Sequence, residues 1–178
     1  MREELRTDRL LLRLWRDSDR LPFQQINADP HVMEFFPEPL TTEASDALFH
    51  RARQHFNRHG FGPFAVELIA TGTFIGFIGL SVPRFEAHFT AAVEIGWRLA
   101  FEHWGNGLAT EGARRVLTYG FEELGLNSIV SFTVPANLRS RRVMENIGMT
   151  HDPVDDFDHP RLPEGHPLRR HVLYRIKR

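Results

Sequence analysis

The chain has 178 residues, of which 42% are hydrophobic and 25% charged, the balance of a soluble globular domain with one substantial core. A formal net charge of -1 argues against a broad basic surface for nucleic acid, and the absence of cysteine excludes a disulfide framework, a thiolate metal site and a cysteine nucleophile. Acyl transfer on such a chain is expected to run directly between two bound substrates, without a cysteinyl intermediate. The segment Met1 to Arg16 mixes charge with Leu and Trp and reads as no secretory signal. No window is apolar enough to span a membrane, so a cytoplasmic location is expected.

In chain order, Arg9 to Trp15 reads as a first strand, followed by Asp17 at a helix-cap position ahead of Leu21, Phe23 and Ile26. The proline-containing stretch from Asp29 to Pro39 reads as a short helical turn and loop. Thr41 or Thr42 caps a longer helix with a predicted apolar face of Ala44, Leu48, Ala52 and Phe56, ending at Gly60. Strands are expected over Pro63 to Ile69 and Phe74 to Val82, with Thr71-Gly72 as the hairpin signal, and over Ala91 to Leu99. The next helix follows a glycine turn and carries Ala109, Ala113, Val116, Leu117, Gly120, Phe121 and Leu124 at helical spacing, stopping at Gly125. Ser128 to Val134 is a β-branched strand, and Asn137 caps a helix that ends at Gly148. Met149 to Asp158 and His171 to Lys177 read as a closing pair of strands around a long loop, His159 to Arg170. With no repeat and no linker, residues 1–178 read as one α+β domain on a mixed sheet.

The turn Trp104-Gly105-Asn106-Gly107 leads from a strand into a helix. A helix N-terminus has unsatisfied N–H groups and about half a positive charge, and small residues let a phosphate approach that backbone. The turn is therefore a candidate pyrophosphate cradle, or simply a tight connection. It is no P-loop, since no Gly-Lys-Ser/Thr follows, and it is a poor dinucleotide fingerprint, with Thr110 at the third glycine position and Asn127 near the ribose-binding one.

Two motifs carry a resemblance. Glu94-Ile95-Gly96-Trp97-Arg98-Leu99 followed by Trp104-Gly105-Asn106-Gly107-Leu108-Ala109-Thr110-Glu111 is similar to the GNAT acetyltransferases. So is Asn137-Leu138-Arg139-Ser140 followed by Val143-Met144-Glu145-Asn146-Ile147-Gly148-Met149. The resemblance is to the RimJ/RimL-like branch, named for enzymes that acetylate ribosomal-protein N-termini, and it extends to Leu10-Leu11-Leu12-Arg13 and to Phe74-Ile75-Gly76-Phe77-Ile78-Gly79. Trp104 stands where the superfamily's pyrophosphate motif begins with Gln or Arg, a departure this branch shares.

The resemblance implies a single GNAT-like domain: a mostly antiparallel central sheet with a V-shaped splay between the strands at Leu99 and Ser128, flanked by helices. It implies acetyl-CoA as cosubstrate, no metal, and a primary amine as acceptor. The pantetheine arm would pair with backbone of Trp97, Arg98 and Leu99 and reach Asn137. The pyrophosphate would sit on Gly105, Asn106, Gly107, Leu108, Ala109 and Thr110, behind Trp104. A backbone N–H near Trp97 would stabilise the oxyanion. Glu94 is the candidate general base, working through water, and Ser140 the candidate acid for the leaving thiolate; Glu111 is a weaker rival base. Plain strand or cap roles compete for Glu94, Asn137 and Ser140.

The acceptor's own pKa decides how much help a base must give. An α-amine near 8 is about one-tenth neutral at pH 7, whereas a lysine amine near 10.4 is neutral about once in two thousand. A protein or peptide N-terminus is the leading acceptor, a small amine (amino acid, polyamine, aminoglycoside) the alternative, and a silent acyl-CoA-binding module the rival from another class. Neither nucleic acid nor membrane is an expected partner, and a homodimer is left open. His55 and His59 share helical spacing but lack the glutamate of a zinc-protease motif. Asp152, Asp155, Asp156 and Asp158 form an acidic run that is either a solvated face or an attractor for a cationic amine. Phe35 and Phe36 are candidates for the acceptor wall or for core.

Overall fold

The computed structural model describes residues 2–178. The strands are β1 (Glu4–Arg6), β2 (Leu10–Arg13), β3 (Pro63–Leu68), β4 (Phe74–Ser81), β5 (Val93–Leu99), β6 (Ser128–Thr133), β7 (Thr150–His151), β8 (Phe157–Asp158) and β9 (Arg170–Lys177). The helices are α1 (Arg20–Ala28), α2 (Thr42–His59), α3 (Leu108–Thr118) and α4 (Leu138–Asn146). The sheet order is β1-β2-β3-β4-β5-β6-β9-β7, with β8 also on β9. Every pairing is antiparallel except β5 with β6, so the expected mixed, mostly antiparallel α+β sheet is present.

Side-chain alternation divides β5 between the two faces of the sheet. Ile95 and Leu99 are buried in the main core with Ile78, Ala113 and Val116 beneath α3. That helix lies close on the sheet: a side chain at Gly112 would press the Ile78 methyl at 2.5 Å. The opposite face carries α1 and α2 over an aromatic group in which Trp15 meets Phe23, Phe49 and Phe74 with ring centroids 4.9–5.7 Å apart. Such contacts favour edge-on and tilted pairs, as found here.

Several expectations shift. The first strand is Glu4–Arg6, an edge element whose alternation amounts to one buried residue, Leu5, and Arg9 to Trp15 contributes strand only over Leu10–Arg13. Asp17 opens a short 3-10 turn and pairs with Arg53 rather than capping α1. Asp19 takes the inner position: buried, it accepts two bonds from the Arg13 guanidinium at 2.7 and 2.8 Å and one from the Arg16 N–H. Thr41, not Thr42, caps α2 by accepting the Ala44 N–H. The buried stripe of α2 is Ser45, Phe49, Ala52 and Phe56: Ala52 and Phe56 are as expected, while Ser45, whose hydroxyl accepts a bond from Asn27 of α1 at 2.8 Å, and Phe49 are buried in place of Ala44 and Leu48. The helix after the glycine turn widens at Tyr119–Glu123 into a π turn, where Gly120 packs against Ile129.

Candidate active site

Strands β5 and β6 pair at only two positions, Val93 with Ile129 and Glu94 with Val130. Beyond Glu94, β5 runs on to Leu99 still bonded to β4, while β6 runs on to Thr133 bonded to β9. The two strands therefore diverge from a short parallel contact, which is the splay implied by the sequence motifs. Antiparallel alternation decides which backbone groups face the gap. The Ala100 N–H donates to the Ile75 carbonyl on β4 at 2.9 Å. Glu94, Gly96 and Arg98 consequently direct their backbone groups to β4, and Ile95, Trp97 and Leu99 direct theirs into the gap.

This alternation separates the three expected pantetheine partners. Trp97 offers both its N–H and its carbonyl. The Leu99 carbonyl already accepts the Trp104 indole N–H at 2.8 Å, which leaves the Leu99 N–H. The backbone of Arg98 belongs to the sheet, so Arg98 meets the cavity by its side chain and not through the expected main-chain contact.

The glycine turn closes the lower end of the gap. Gly105 and Gly107 both have φ near the left-handed region, +77° and +75°, which an L side chain rarely adopts. No atom stands within 4 Å of where a Gly105 side chain would begin. The ladder of α3 starts with the Glu111 N–H donating to the Gly107 carbonyl, so the N–H groups of Leu108, Ala109 and Thr110 are left over at the positive end of the helix. A diphosphate fits this cradle on charge and on space. Asn106 does not turn its side chain inward: its amide donates to the carbonyls of His103 and Trp104, and its own carbonyl accepts from Arg9. Glu111 is occupied as well, by Thr7 at 2.6 Å and by the Arg9 backbone and guanidinium, which accounts for its lowered pKa and removes it as a rival base.

A cavity of about 1790 Å³ runs from this turn along both diverging strands. It is lined by Glu94, Trp97, Arg98, Leu99, Trp104, Gly105, Gly107, Leu108, Ala109, Thr110, Asn137 and Ser140, which brings together every predicted site residue except Asn106. Asn137 caps α4 by accepting the Ser140 N–H at 3.1 Å, and its amide donates to the Thr133 hydroxyl at 3.0 Å, tying α4 to the end of β6. Both polar ends of Asn137 are thus in use by the fold. The Ser140 hydroxyl makes no hydrogen bond to the described residues and lies on the cavity wall.

Glu94 sits on the α2 side of β5, with the Ser81 hydroxyl 3.5 Å away on β4. Burial pushes its carboxyl up to about 7, and the Ser81 hydroxyl opposes that only in part. Gly96, next on the same face, leaves bare floor: a side chain there would meet only the Glu94 carboxylate, at 3.9 Å. Arg98 follows, with its guanidinium over Phe36 at 4.4 Å and Phe77 at 5.8 Å and one nitrogen donating to Asn27. Phe35 and Phe36 line the cavity and do not join the core. Arg139 spans the opening by pairing with Glu34 and stacking on Trp104 at 4.9 Å.

The remaining candidates settle into structural places. His55 uses both ring nitrogens, one on the Phe61 carbonyl at 2.8 Å and one accepting the Val82 N–H at 3.0 Å, so it is a neutral joint between α2 and the end of β4. The acidic run is tied into the local fold: Asp155 pairs with Arg175, Asp158 with Arg169 and Arg170, Asp156 bonds the His151 ring at 2.7 Å, and Asp152 caps a short turn by accepting the Val154 N–H. None of the four lines the cavity.

The Acetyltransferase (GNAT) domain pattern matches residues 9–150. The uncharacterized N-acetyltransferase YnaD of Bacillus subtilis is 32% identical over 170 residues, covering 96% of this chain and 94% of that one. An acetyltransferase from Agrobacterium tumefaciens superposes with a TM-score of 0.80 at 29% identity, over 100% of this chain and 96% of that one. The chain belongs to the GNAT acetyltransferases, enzymes that use acetyl-CoA. The Mycobacterium smegmatis RimJ structure, determined with CoA-disulfide, matches at a TM-score of 0.72 and 26% identity over 94% of this chain and 81% of that one. This supports the RimJ/RimL-like branch.

Proposed function

We propose that the protein transfers acetyl from acetyl-CoA to a primary amine by direct attack within a ternary complex, with a protein or peptide N-terminal α-amine as acceptor. Acetyl-CoA supplies the activated thioester when bound, its diphosphate on the N–H groups of Leu108, Ala109 and Thr110. The Trp97 N–H, directed into the gap, is placed to stabilise the oxyanion. Glu94 accepts the amine proton, directly or through one water, and the Ser140 hydroxyl donates to the departing sulfur.

The observation that carries this reading is the Glu94 carboxyl at the head of the splay, its pKa raised by burial to about 7. A base poised near neutrality serves an acceptor with a pKa near 8, and serves a lysine amine far less well. A polycationic small-molecule acceptor loses its main support, because none of the four aspartates that would attract it lines the cavity.

The test is an acceptor screen that reads thiol release and acetylated product mass together. Transfer to peptide α-amines is expected. Tight CoA binding with no transfer to any amine would support the silent-module reading instead. Ser140→Ala is expected to slow turnover roughly tenfold with unchanged CoA affinity. A thiol of pKa near 8.5 leaves as thiolate with modest help, so the loss is small. An equal fall in kcat and CoA affinity would assign Ser140 to the fold of α4.

A further inference from the structure

We propose that Arg51, Arg84 and Arg161 form an anion subsite at the acceptor end of the cleft, so that the acetylated amine belongs to a molecule carrying a carboxylate or phosphate near its reacting nitrogen. The proposal deepens the reading of this cleft as an amine-acetylation site and rests on it.

The three arginines come from three separate elements: α2, the loop after β4, and the loop between β8 and β9. Arg161 donates to the Arg84 carbonyl at 2.9 Å and lies over Phe85 at 6.0 Å. Arg51 stands one helical turn before His55, which holds the Val82 N–H, so Arg51 lies alongside the segment that leads to Arg84. All three line the cavity. Burial first, and then the charges of Arg84 and Arg161, hold the Arg51 pKa below its ordinary value, a sign that like charges face one another without relief.

Arg9, Arg13, Arg20, Arg53 and Arg175 each pair with an acid (Glu111, Asp19, Asp46, Asp17 and Asp155), whereas Arg58, Arg98 and Arg142 share the cavity wall with the cluster and have no ion pair among the described residues. Among the described residues, no Asp or Glu comes within ion-pair distance of Arg51, Arg84 or Arg161. Glu94 is the one carboxylate on the whole cavity wall. Converging guanidinium groups without a counter-charge are a standing preference for an anion, and guanidinium suits carboxylate and phosphate oxygens in particular.

The cofactor's phosphates do not answer that preference. Their cradle lies at the Leu99 end of β5, where Trp104 bonds the Leu99 carbonyl. The arginines lie at the Glu94 end: Arg84 is three residues beyond Ser81, which faces Glu94, Arg161 bonds the Arg84 carbonyl, and Arg51 is one turn from the His55 that holds Val82. Five residue steps along β5 separate Glu94 from Leu99, roughly 17 Å. The cluster therefore belongs to whatever meets Glu94.

The test compares kcat/KM on peptides with a free N-terminus and the same first residue, followed by Asp, phosphoserine, Asn or Lys. The Asp or the phosphoserine peptide is expected to exceed the Asn peptide by about tenfold, equivalent to one charge-assisted contact, with Lys lowest. The better of the two anionic peptides identifies the anion. The Arg51→Gln/Arg161→Gln double variant is expected to bring the anionic peptide to the Asn peptide's value through KM, with the Asn peptide's own rate unchanged. Equal rates for anionic and neutral peptides, or a preference that survives the double variant, would overturn the subsite while leaving peptide acetylation standing. If no peptide is acetylated, the same comparison is made between amino acids and their amides. A carboxylate preference that the double variant removes would then keep the subsite and retire the peptide reading; equal rates or no transfer would overturn both.

Discussion

Glu94→Gln is expected to lower kcat by about 10²- to 10⁴-fold, the range associated with removing a positioned base. The amide keeps the size and the Ser81 neighbour of the carboxylate but cannot accept the amine proton. The pH profile carries the sharper signature. With the carboxyl at about 7, the working deprotonated form is present above that pH and lost below it, so wild-type activity falls on the acid side of 7. The variant should lack this limb and retain only the rise from deprotonation of the acceptor amine, near pH 8 for an α-amine. Stability should move the other way. A carboxyl whose folded pKa is raised from 4.5 to about 7 binds its proton more tightly in the folded chain, so wild-type stability declines as pH rises from about 4.5 through 7. Glu94→Gln has no such loss and should melt higher than the wild type at pH 8. A variant that keeps wild-type kcat and the same acid limb would remove Glu94 from the reaction.

Gly107→Glu is expected to abolish measurable CoA binding by calorimetry while leaving the folded core in place. Gly107 sits at φ +75° as the residue immediately before α3, with only the Arg9 guanidinium near its missing side chain, at 3.7 Å. A glutamate there adds backbone strain of order 1–3 kcal/mol and brings a negative charge to the helix end where the diphosphate is to sit. Gly107→Ala, which adds the strain of a side chain at φ +75° without the charge, tests whether strain alone is responsible. CoA binding at wild-type affinity in the Gly107→Glu variant would move the phosphates away from this turn.

The outline of the fold was readable because its signals are local. Hairpin chemistry at Thr71-Gly72, the glycine turn at 105–107 and the Asn137 cap each fix backbone geometry within a few residues, and the structure places elements where those signals point. What escaped depends on partners far along the chain. β1 has one buried residue and is a strand only because β2 lies beside it. Ser45 is buried on α2 beside its partner Asn27 on α1, a pairing that the apolar spacing of α2 alone does not show. At the site, the residue types around the glycine turn were legible, but which of them face the gap was not. Sorting Trp97 and Leu99 from Arg98 requires the register with β4, and the back-turned side chain of Asn106 requires the carbonyls of His103 and Trp104. The convergence of Arg51, Arg84 and Arg161 was beyond any spacing rule, since 33 and 77 positions separate these residues in the sequence.

The short parallel contact has a mechanical consequence. Only Val93–Ile129 and Glu94–Val130 join the five strands on one side to those on the other, so the sheet is riveted at one point and free along the rest of that seam. A molecule lying in the seam and bonding to Trp97 replaces the missing neighbour of β5, bracing the two halves as one plate. Filling the seam would then stiffen the wall that an acceptor meets.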